Sequence, residues 1–237
     1  MAEIKEIKGL LFNSKCQVLV NTVNCEGIMG GGIALEFKLR FPEEMFLKYE
    51  KTCNDGLLKP GKLLLYDKNE PWILSFPTKD KWKLPSKISY IKSGLEKFCS
   101  FYKVKKIRSI AFPRLGVSLG HLNWEVVKEE MYKYLAPLED LYVEIYNFDP
   151  MDNNIQDKLY LQLKEKINSL SDNEIRNKLS IRDKQVDTLL NIIKNHRNNK
   201  MFILQRTRGI GKKSLKNIYD FAIGENQISN YHELKLF

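Results

Sequence analysis

Val20-Asn21-Thr22-Val23-Asn24-Cys25-Glu26-Gly27-Ile28-Met29-Gly30-Gly31-Gly32-Ile33-Ala34-Leu35-Glu36-Phe37 joins a short β-rich run to a helical pattern through three consecutive glycines. The run at 17–20 is too short for an amphipathic helix, so the stretch reads as strand, loop, helix. Glycines at a helix start let backbone N–H groups approach an anion closely, and the positive end of the helix dipole favours phosphate there. A second loop of the same type is Pro113-Arg114-Leu115-Gly116-Val117-Ser118-Leu119-Gly120, with Asn123 as N-cap of the following helix. Two such junctions could clamp one diphosphate; the simpler reading is that the glycines serve turns. Neither loop carries GxxxxGK[ST] or a strict GxGxxG, which disfavours a nucleotide triphosphatase or a dinucleotide dehydrogenase.

Outward from this stretch, β-rich runs at 62–66, 72–76, 107–112 and 141–148 alternate with helical patterns at 33–41, 43–53, 88–102 and 124–135. In the third helical pattern Ile88, Ile91, Leu95, Phe98 and Tyr102 share one face. The alternation implies an α/β fold, a largely parallel or mixed sheet covered by helices on both sides, with ligands at the carboxyl ends of strands.

After Asp149-Pro150 strand signals cease, and Leu159, Leu163, Ile167, then Val186, Leu189, Leu190, Ile193, read as successive helices. Ser171-Asp172-Asn173 reads as a break and N-cap. This predicts two domains, 1–150 and 151–237. Of 39 Lys+Arg and 29 Asp+Glu, net +10, the second part holds 16 against 10, net +6; the first holds 23 against 19, net +4. Such an excess points to polyanionic partners. Cys16, Cys25, Cys53 and Cys99 form no CxxC, and the histidines at 121, 196 and 232 are scattered; no zinc site, disulfide framework or cofactor is expected. No apolar run approaches the ~20 residues of a membrane span, and residues 1–30 lack signal-peptide character. The expectation is a soluble cytoplasmic protein with no membrane partner.

The first loop, together with Phe76-Pro77-Thr78-Lys79 and the segment from Gly116 to Leu122-Asn123-Trp124, resembles the macrodomain family. Within it the set is most similar to the DNA ADP-ribosyl glycohydrolase antitoxins (DarG) and their relative, the terminal ADP-ribose glycohydrolase. The resemblance covers residues 1 to about 148 and implies an α/β/α sandwich with ADP-ribose in a cleft at the strand ends. It places Asn21, Thr22, Gly30, Gly31, Gly32, Ile33 and Thr78 with Gly116, Val117, Ser118, Leu119 and Gly120 around ADP-ribose, and Lys79 and Asn24 at the distal ribose as the catalytic pair. Without the resemblance, Lys79 reads as a solvated lysine of a basic loop and Asn24 as a turn-forming residue.

Three positions depart from the pattern. Leu10 follows Gly9 where many macrodomains carry an adenine-recognising Asp, so adenine recognition is expected to rest on stacking or backbone groups. Gly31 stands where DarG-like sequences have Lys. Gly120 replaces the acidic residue of the terminal glycohydrolase, as it does in DarG-like sequences. No carboxylate pair of the ordinary glycosidase kind is supplied by the loops, Glu26 and Glu36 being the only acids near the first. The resemblance instead implies Lys79 as base or nucleophile, its amine kept neutral by burial and by repulsion from Lys81 and Lys83.

Further along, the pattern from Phe202 to Ile218, with Arg206, Arg208, Gly209, Gly211, Lys212, Lys213 and Lys216, reads as a helix-hairpin-helix at about 199–223. It is similar to the C-terminal domain of the bacterial RNA polymerase alpha subunit. Backbone N–H groups at the hairpin and these basic side chains would grip a nucleic-acid backbone without reading bases.

The expected function is removal of ADP-ribose from DNA bases, with ADP-ribose and ADP-ribosylated single-stranded DNA as ligands. By the resemblance, the modification is made by a DarT-like toxin. The larger domain with which DarG proteins neutralise that toxin is not read here. The alternatives are a non-catalytic ADP-ribose reader, or a hydrolase of a small derivative such as ADP-ribose phosphate.

Overall fold

In the computed structural model, which describes residues 1–194 and 199–224, the chain divides into two compact units. The first comprises Met1–Lys38 with Glu43–Phe148, the second Leu39–Pro42 with Asp149–Phe237. Residues 225–237 at the end of the expected second domain, and the histidines at 196 and 232, lie outside the described residues.

Ahead of residue 149 the elements run β1 (Glu3–Lys8), β2 (Val18–Val23), α1 (Gly32–Arg40), α2 (Glu43–Asn54), β3 (Leu64–Tyr66), β4 (Trp72–Pro77), α3 (Ile88–Phe101), β5 (Ser109–Pro113), α4 (Trp124–Leu135) and β6 (Tyr142–Asn147). A six-stranded sheet results, in the order β1-β6-β5-β2-β4-β3. Every neighbouring pair is parallel except β3 with β4, so the sheet is mixed. The strand at Glu3–Lys8 was not among the expected elements. Its isoleucines, Ile4 and Ile7, fall three apart, and as an edge strand it pairs on one side only, with β6.

Strand alternation sends Val18, Val20, Leu74, Phe76, Ile110, Phe112, Val143 and Ile145 to one face, where they meet Ile91, Leu95 and Phe98 of α3 and Val127, Met131 and Leu135 of α4. The opposite face, carrying Leu19, Ile73 and Ala111, is buried as well, and Phe37, Met45 and Tyr49 of α1 and α2 are fully enclosed. Apolar surface on both sides of the sheet makes this an α/β/α sandwich.

Within the second unit lie α5 (Lys158–Asn168), α6 (Asp172–Leu179), α7 (Asp183–Lys194), α8 (Phe202–Arg206) and α9 (Lys212–Ile223). Ser171 caps α6 in a full capping box with Glu174. α9 packs on α5 and α6, burying Tyr160, Leu163, Ile175, Leu179, Leu215, Ile218 and Tyr219. Asn217 Nδ2 donates to the carbonyls of Leu179 and Ser180, satisfying the end of α6. Among the described residues no helix is long and apolar enough to cross a membrane.

Gly94 of α3 sits against Phe76 so closely that a Cβ there would lie 2.2 Å from Cζ of the ring. Gly94→Ala is expected to push β4 and α3 apart and to destabilise the first unit by about 1–3 kcal/mol. The check is a lower urea midpoint at unchanged m.

Candidate functional site

Because β1, β6, β5, β2 and β4 are parallel, their carboxyl ends share one edge of the sheet. Along that edge the pairing is uneven. β2 follows β4 to Val23 and Pro77, but its ladder with β5 ends at Leu19 and Ala111, although both strands continue. From β2 the chain leaves toward β4, and from β5 toward β6. The crevice between β2 and β5 is therefore a topological switch point, the usual ligand position in such sheets. Loops 24–31, 78–87 and 114–123 follow the strands at this edge.

The first loop is built on Asn24, which is almost fully buried. Its Oδ1 accepts from the N–H of Glu26 at 2.9 Å and of Ile28 at 3.3 Å, and its Nδ2 donates to the Ile28 carbonyl at 2.6 Å. From α2 the Tyr49 hydroxyl, wholly enclosed, donates to the Asn24 carbonyl at 2.9 Å and lies 3.2 Å from Oδ1. Gly27, at φ +77°, packs on Glu50 and Cys53 of the same helix. The Asn24 amide thus shapes its own loop, as a turn-forming asparagine does.

The loop after β4 is fastened to this one by backbone bonds. The N–H groups of Thr78 and Lys79 donate to the Val23 carbonyl at 3.0 and 3.4 Å, and that of Cys25 donates to the Asp80 carbonyl at 3.0 Å. Glu26 accepts the Trp82 N–H at 2.8 Å, while the Trp82 carbonyl accepts from Lys79 Nζ at 3.4 Å. One peptide segment thus holds the acid of the first loop and the half-buried lysine of the second. Burial holds the Lys79 amine below the ordinary lysine range, and no neighbouring charge contributes. The repulsion expected from Lys81 and Lys83 does not contribute; both side chains are exposed to water, which screens their charge. Cys25 donates its thiol to the Lys79 carbonyl at 3.5 Å, and burial pushes that thiol up to about 12, so it stays protonated.

The third loop is closed on itself. Leu122 N–H donates to the Gly116 carbonyl and Ser86 N–H to the Gly120 carbonyl, both at 3.0 Å. Gly116 has φ +67°, and a Cβ on Gly120 would lie 2.2 Å from the Gly116 carbonyl oxygen and 2.3 Å from Ser86 Oγ. An acidic side chain at 120 does not fit this conformation. Asn123 caps α4 by accepting from Glu125 and Val126 N–H. Across the crevice Gly32, at φ +59°, meets Leu119: a Cβ there would be 3.0 Å from Cδ1. That contact brings the glycine triplet and the third loop together, while Gly30 and Gly31 are exposed and nothing lies within 4 Å of a Cβ at 31.

Of the remaining predicted residues, Asn21 is fully buried on β2, its Nδ2 3.7 Å from Met29 Sδ and its Oδ1 without a hydrogen bond. Thr78 is buried, Thr22, Ile33 and Val117 are half-buried, and Ser118 and Leu119 are exposed. Leu10 is buried and supplies no polar side-chain group. Two contributors carried no sequence signal: Tyr49, one of many apolar-face residues of α2, and Ser86, whose buried Oγ under the third loop makes no hydrogen bond. Among the described residues no three His, Cys, Asp or Glu side chains converge as a metal site would require.

In the second unit α8 and α9 are joined by a turn with Gly209 at φ +96°, and Gly211 caps α9 without a side-chain hydrogen bond. Gln185 of α7 braces the turn, donating to the Gly209 carbonyl at 2.7 Å and accepting from Ser214 Oγ at 3.0 Å. Arg206, Arg208, Gly209, Gly211, Lys212, Lys213 and Lys216 are all exposed; Arg206 lies over the Phe202 ring and Lys216 pairs with Asp220.

Comparison with known proteins gives a match to the Macro domain over residues 20–131. A Mycobacterium tuberculosis protein named DNA ADP-ribosyl glycohydrolase is 42% identical over 142 residues, 58% of this chain and 40% of that protein. A Thermus aquaticus protein of the same name is 36% identical over 154 residues, 63% of this chain and 42% of the relative. A Thermosipho africanus relative, named a DNA ADP-ribosyl transferase-DNA ADP-ribosyl glycohydrolase fusion protein, is 35% identical over 170 residues, covering 64% and 43%. The chain thus spans about four tenths of the length of these relatives. Among solved structures, the macrodomain of Thermus aquaticus DarG superposes with a TM-score of 0.59 at 34% identity, covering 62% of this chain and 99% of that one. Thermosipho africanus DarTG in complex with ADP-ribose gives 0.58 at 35% identity, covering 62% and 42%. The macrodomain of Mycobacterium tuberculosis DarG gives 0.59 at 40% identity, with 62% of this chain covering 98% of it. A solved macrodomain is thus matched almost end to end at an identity well above chance, on a sandwich that opens between β2 and β5, and this chain belongs to the macrodomain family.

Proposed function

We propose that this chain is an ADP-ribosyl glycohydrolase that removes ADP-ribose from DNA bases and so reverses a modification made by a DarT-like transferase. The name shared by the Mycobacterium and Thermus relatives supports the substrate. The Thermosipho fusion, which joins both activities in its name, supports the transferase as counterpart. The observation that carries the chemistry is Lys79: a half-buried amine at the end of β4, bonded to a carbonyl and not to a carboxylate, with its proton affinity lowered by burial.

In this reading the neutral amine works at the anomeric carbon of the distal ribose. As base it takes a proton from water, the water oxygen bonds to that carbon, and the electron pair of the C–N bond leaves with the DNA base, which is then protonated. As nucleophile its nitrogen bonds to the carbon, loses its proton and expels the base; water later cleaves the C–N link to lysine. Either route ends in ADP-ribose and restored DNA. Backbone N–H groups at Gly30, Gly31 and Gly32, with the start of α1, and at 116–120 would take the diphosphate, while Asn21, Thr22, Ile33 and Thr78 line the strand end. The lack of room at Gly120 favours a mechanism without an acid from that loop. A second reading, a non-catalytic ADP-ribose reader, gains from the commitment of the Asn24 amide to its own loop.

We further propose that the exposed Arg206, Arg208, Lys212, Lys213 and Lys216 around the Gly209 turn bind the DNA backbone. Attachment of such a unit raises the local concentration of DNA at the first.

Lys79→Ala should lower release of ADP-ribose from modified single-stranded DNA by about 100-fold or more while free ADP-ribose still binds. Lys79→Arg should fail equally, because guanidinium keeps its proton. In the wild type kcat/KM should rise with pH as the amine deprotonates, and level off below the ordinary lysine value of 10.5, since burial lowers the pKa. Turnover by the Arg variant would remove Lys79 from the mechanism. Parallel assays on modified DNA, modified protein and ADP-ribose phosphate separate the glycohydrolase from the alternatives; binding without turnover on all three would favour the reader.

Gly120→Ala should weaken ADP-ribose binding, about ten-fold or more, by breaking the loop closed on Gly116 and Ser86, as read by calorimetry. For the second unit, raising salt from about 50 to 200 mM should weaken binding of unmodified single-stranded DNA by roughly 10–100-fold if three to five phosphates are neutralised. Lys212→Gln with Lys213→Gln should flatten that dependence.

A further inference from the structure

Three tryptophans stand in the chain, at 72, 82 and 124. Trp72 and Trp124 pack against the core of the sheet. Trp82 does not: it is 48% exposed, in a residue type that is ordinarily well buried. Its backbone is nonetheless held at both polar groups, the N–H by Glu26 and the carbonyl by Lys79 Nζ, and the Leu84 N–H to the Lys81 carbonyl at 3.1 Å closes the turn around it. An immobilised backbone carrying a solvent-facing indole has already lost the chain entropy that binding would otherwise cost.

Its surroundings suit one class of ligand. Lys81 and Lys83 flank it, both exposed, and the Lys83 ammonium lies 5.2 Å from the indole centroid. Lys87 follows, over the Tyr90 ring at 5.5 Å. Aromatic faces interleaved with lysines are the pattern that holds single-stranded nucleic acid, bases stacking on rings and phosphates meeting ammonium groups. An enzyme acting on a base in a strand must also hold the strand beside that base.

We propose that Trp82 is a positioning residue for the DNA strand, stacking a nucleobase next to the modified one while Lys81 and Lys83 take the adjoining phosphates. The assignment rests on the glycohydrolase reading for its substrate, and its geometry on the hydrogen bonds that place Trp82 beside Lys79. A free ADP-ribosyl nucleoside, which has no neighbouring base, cannot use this platform.

The test compares the full chain with Trp82→Ala and Trp82→Phe on an ADP-ribosylated single-stranded oligonucleotide and on the corresponding ADP-ribosylated nucleoside. For Trp82→Ala, KM on the oligonucleotide should rise about ten-fold more than KM on the nucleoside, and Trp82→Phe should recover most of the difference. Tryptophan emission should be quenched when the oligonucleotide binds, by an amount missing from Trp82→Phe. Equal effects on both substrates would mean that the indole acts only through the Lys79 loop, and would overturn the proposal, as would no effect. If the wild type releases ADP-ribose from neither substrate, the glycohydrolase reading falls, and the Trp82-dependent quenching alone decides: its presence supports stacking, its absence overturns it.

Discussion

The β2–β5 ladder ends at Leu19 and Ala111 while β2 stays paired with β4 to Val23 and Pro77, and the rest of the site follows from that asymmetry. Strands that part before they end leave backbone groups that no ladder satisfies, and a buried group left unpaired costs about 1–3 kcal/mol. On the side that stays paired, the loops carry the fastening past the strand end. Thr78 and Lys79 N–H share the Val23 carbonyl, and Cys25 N–H takes that of Asp80. Asn21 Oδ1, on the part of β2 that runs beyond the ladder, remains buried and unbonded. The six-residue pairing with β4 holds β2 in register along its whole length while its other side parts from β5.

The same fastening decides the electrostatics of Lys79. A carboxylate about 4 Å from an amine, at an effective dielectric near 20, would favour the charged form by roughly 4 kcal/mol. That is about three pKa units in the direction opposite to burial. Glu26 lies in the adjoining loop, yet its Oε2 is engaged by the Trp82 N–H, and the amine is left with the carbonyl of that residue. A carbonyl bonds the amine in either protonation state, so desolvation alone sets the balance, toward the neutral form. With the Cys25 thiol pushed to about 12 by burial, the amine has no competing thiolate beside it.

Much of this was legible in the sequence, for reasons that also explain what was not. β2, α1 and the glycines between them announce themselves because strand runs, helix starts and backbone turns are local properties. The edge strand Glu3–Lys8 does not, since its exposed faces relax the alternation that marks buried strands. For Asn24 the sequence allows both a turn and a ligand role. The local bonds to Glu26 and Ile28 fit the turn, while the Tyr49 hydroxyl that holds its carbonyl sits on α2, at a separation that no local pattern reveals. The lowered proton affinity of Lys79 was foreseen with one cause too many: burial is a consequence of the loop fastening, whereas Lys81 and Lys83 are exposed to water. The need for glycine at 120 is set by the Gly116 carbonyl and Ser86, neither of which is its neighbour in sequence.

In the second unit, charge placement carries an argument of its own. α6 opens with Ser171, Asp172 and Glu174, a start that opposes the helix dipole with negative charge and satisfies its orphan N–H groups. α9 does the reverse. It begins at Gly211 with no side-chain cap and no acid in its first turn, and follows with Lys212 and Lys213. Positive charge at that end costs some tenths of a kcal/mol per residue, and the first-turn N–H groups gain nothing from the protein in return. A phosphate there would reverse both signs, pairing with the lysines and accepting from the amides. Gln185 braces this turn from α7 while Lys212 and Lys213 face solvent, so the DNA contact proposed for this unit would be made on a backbone already held by the protein.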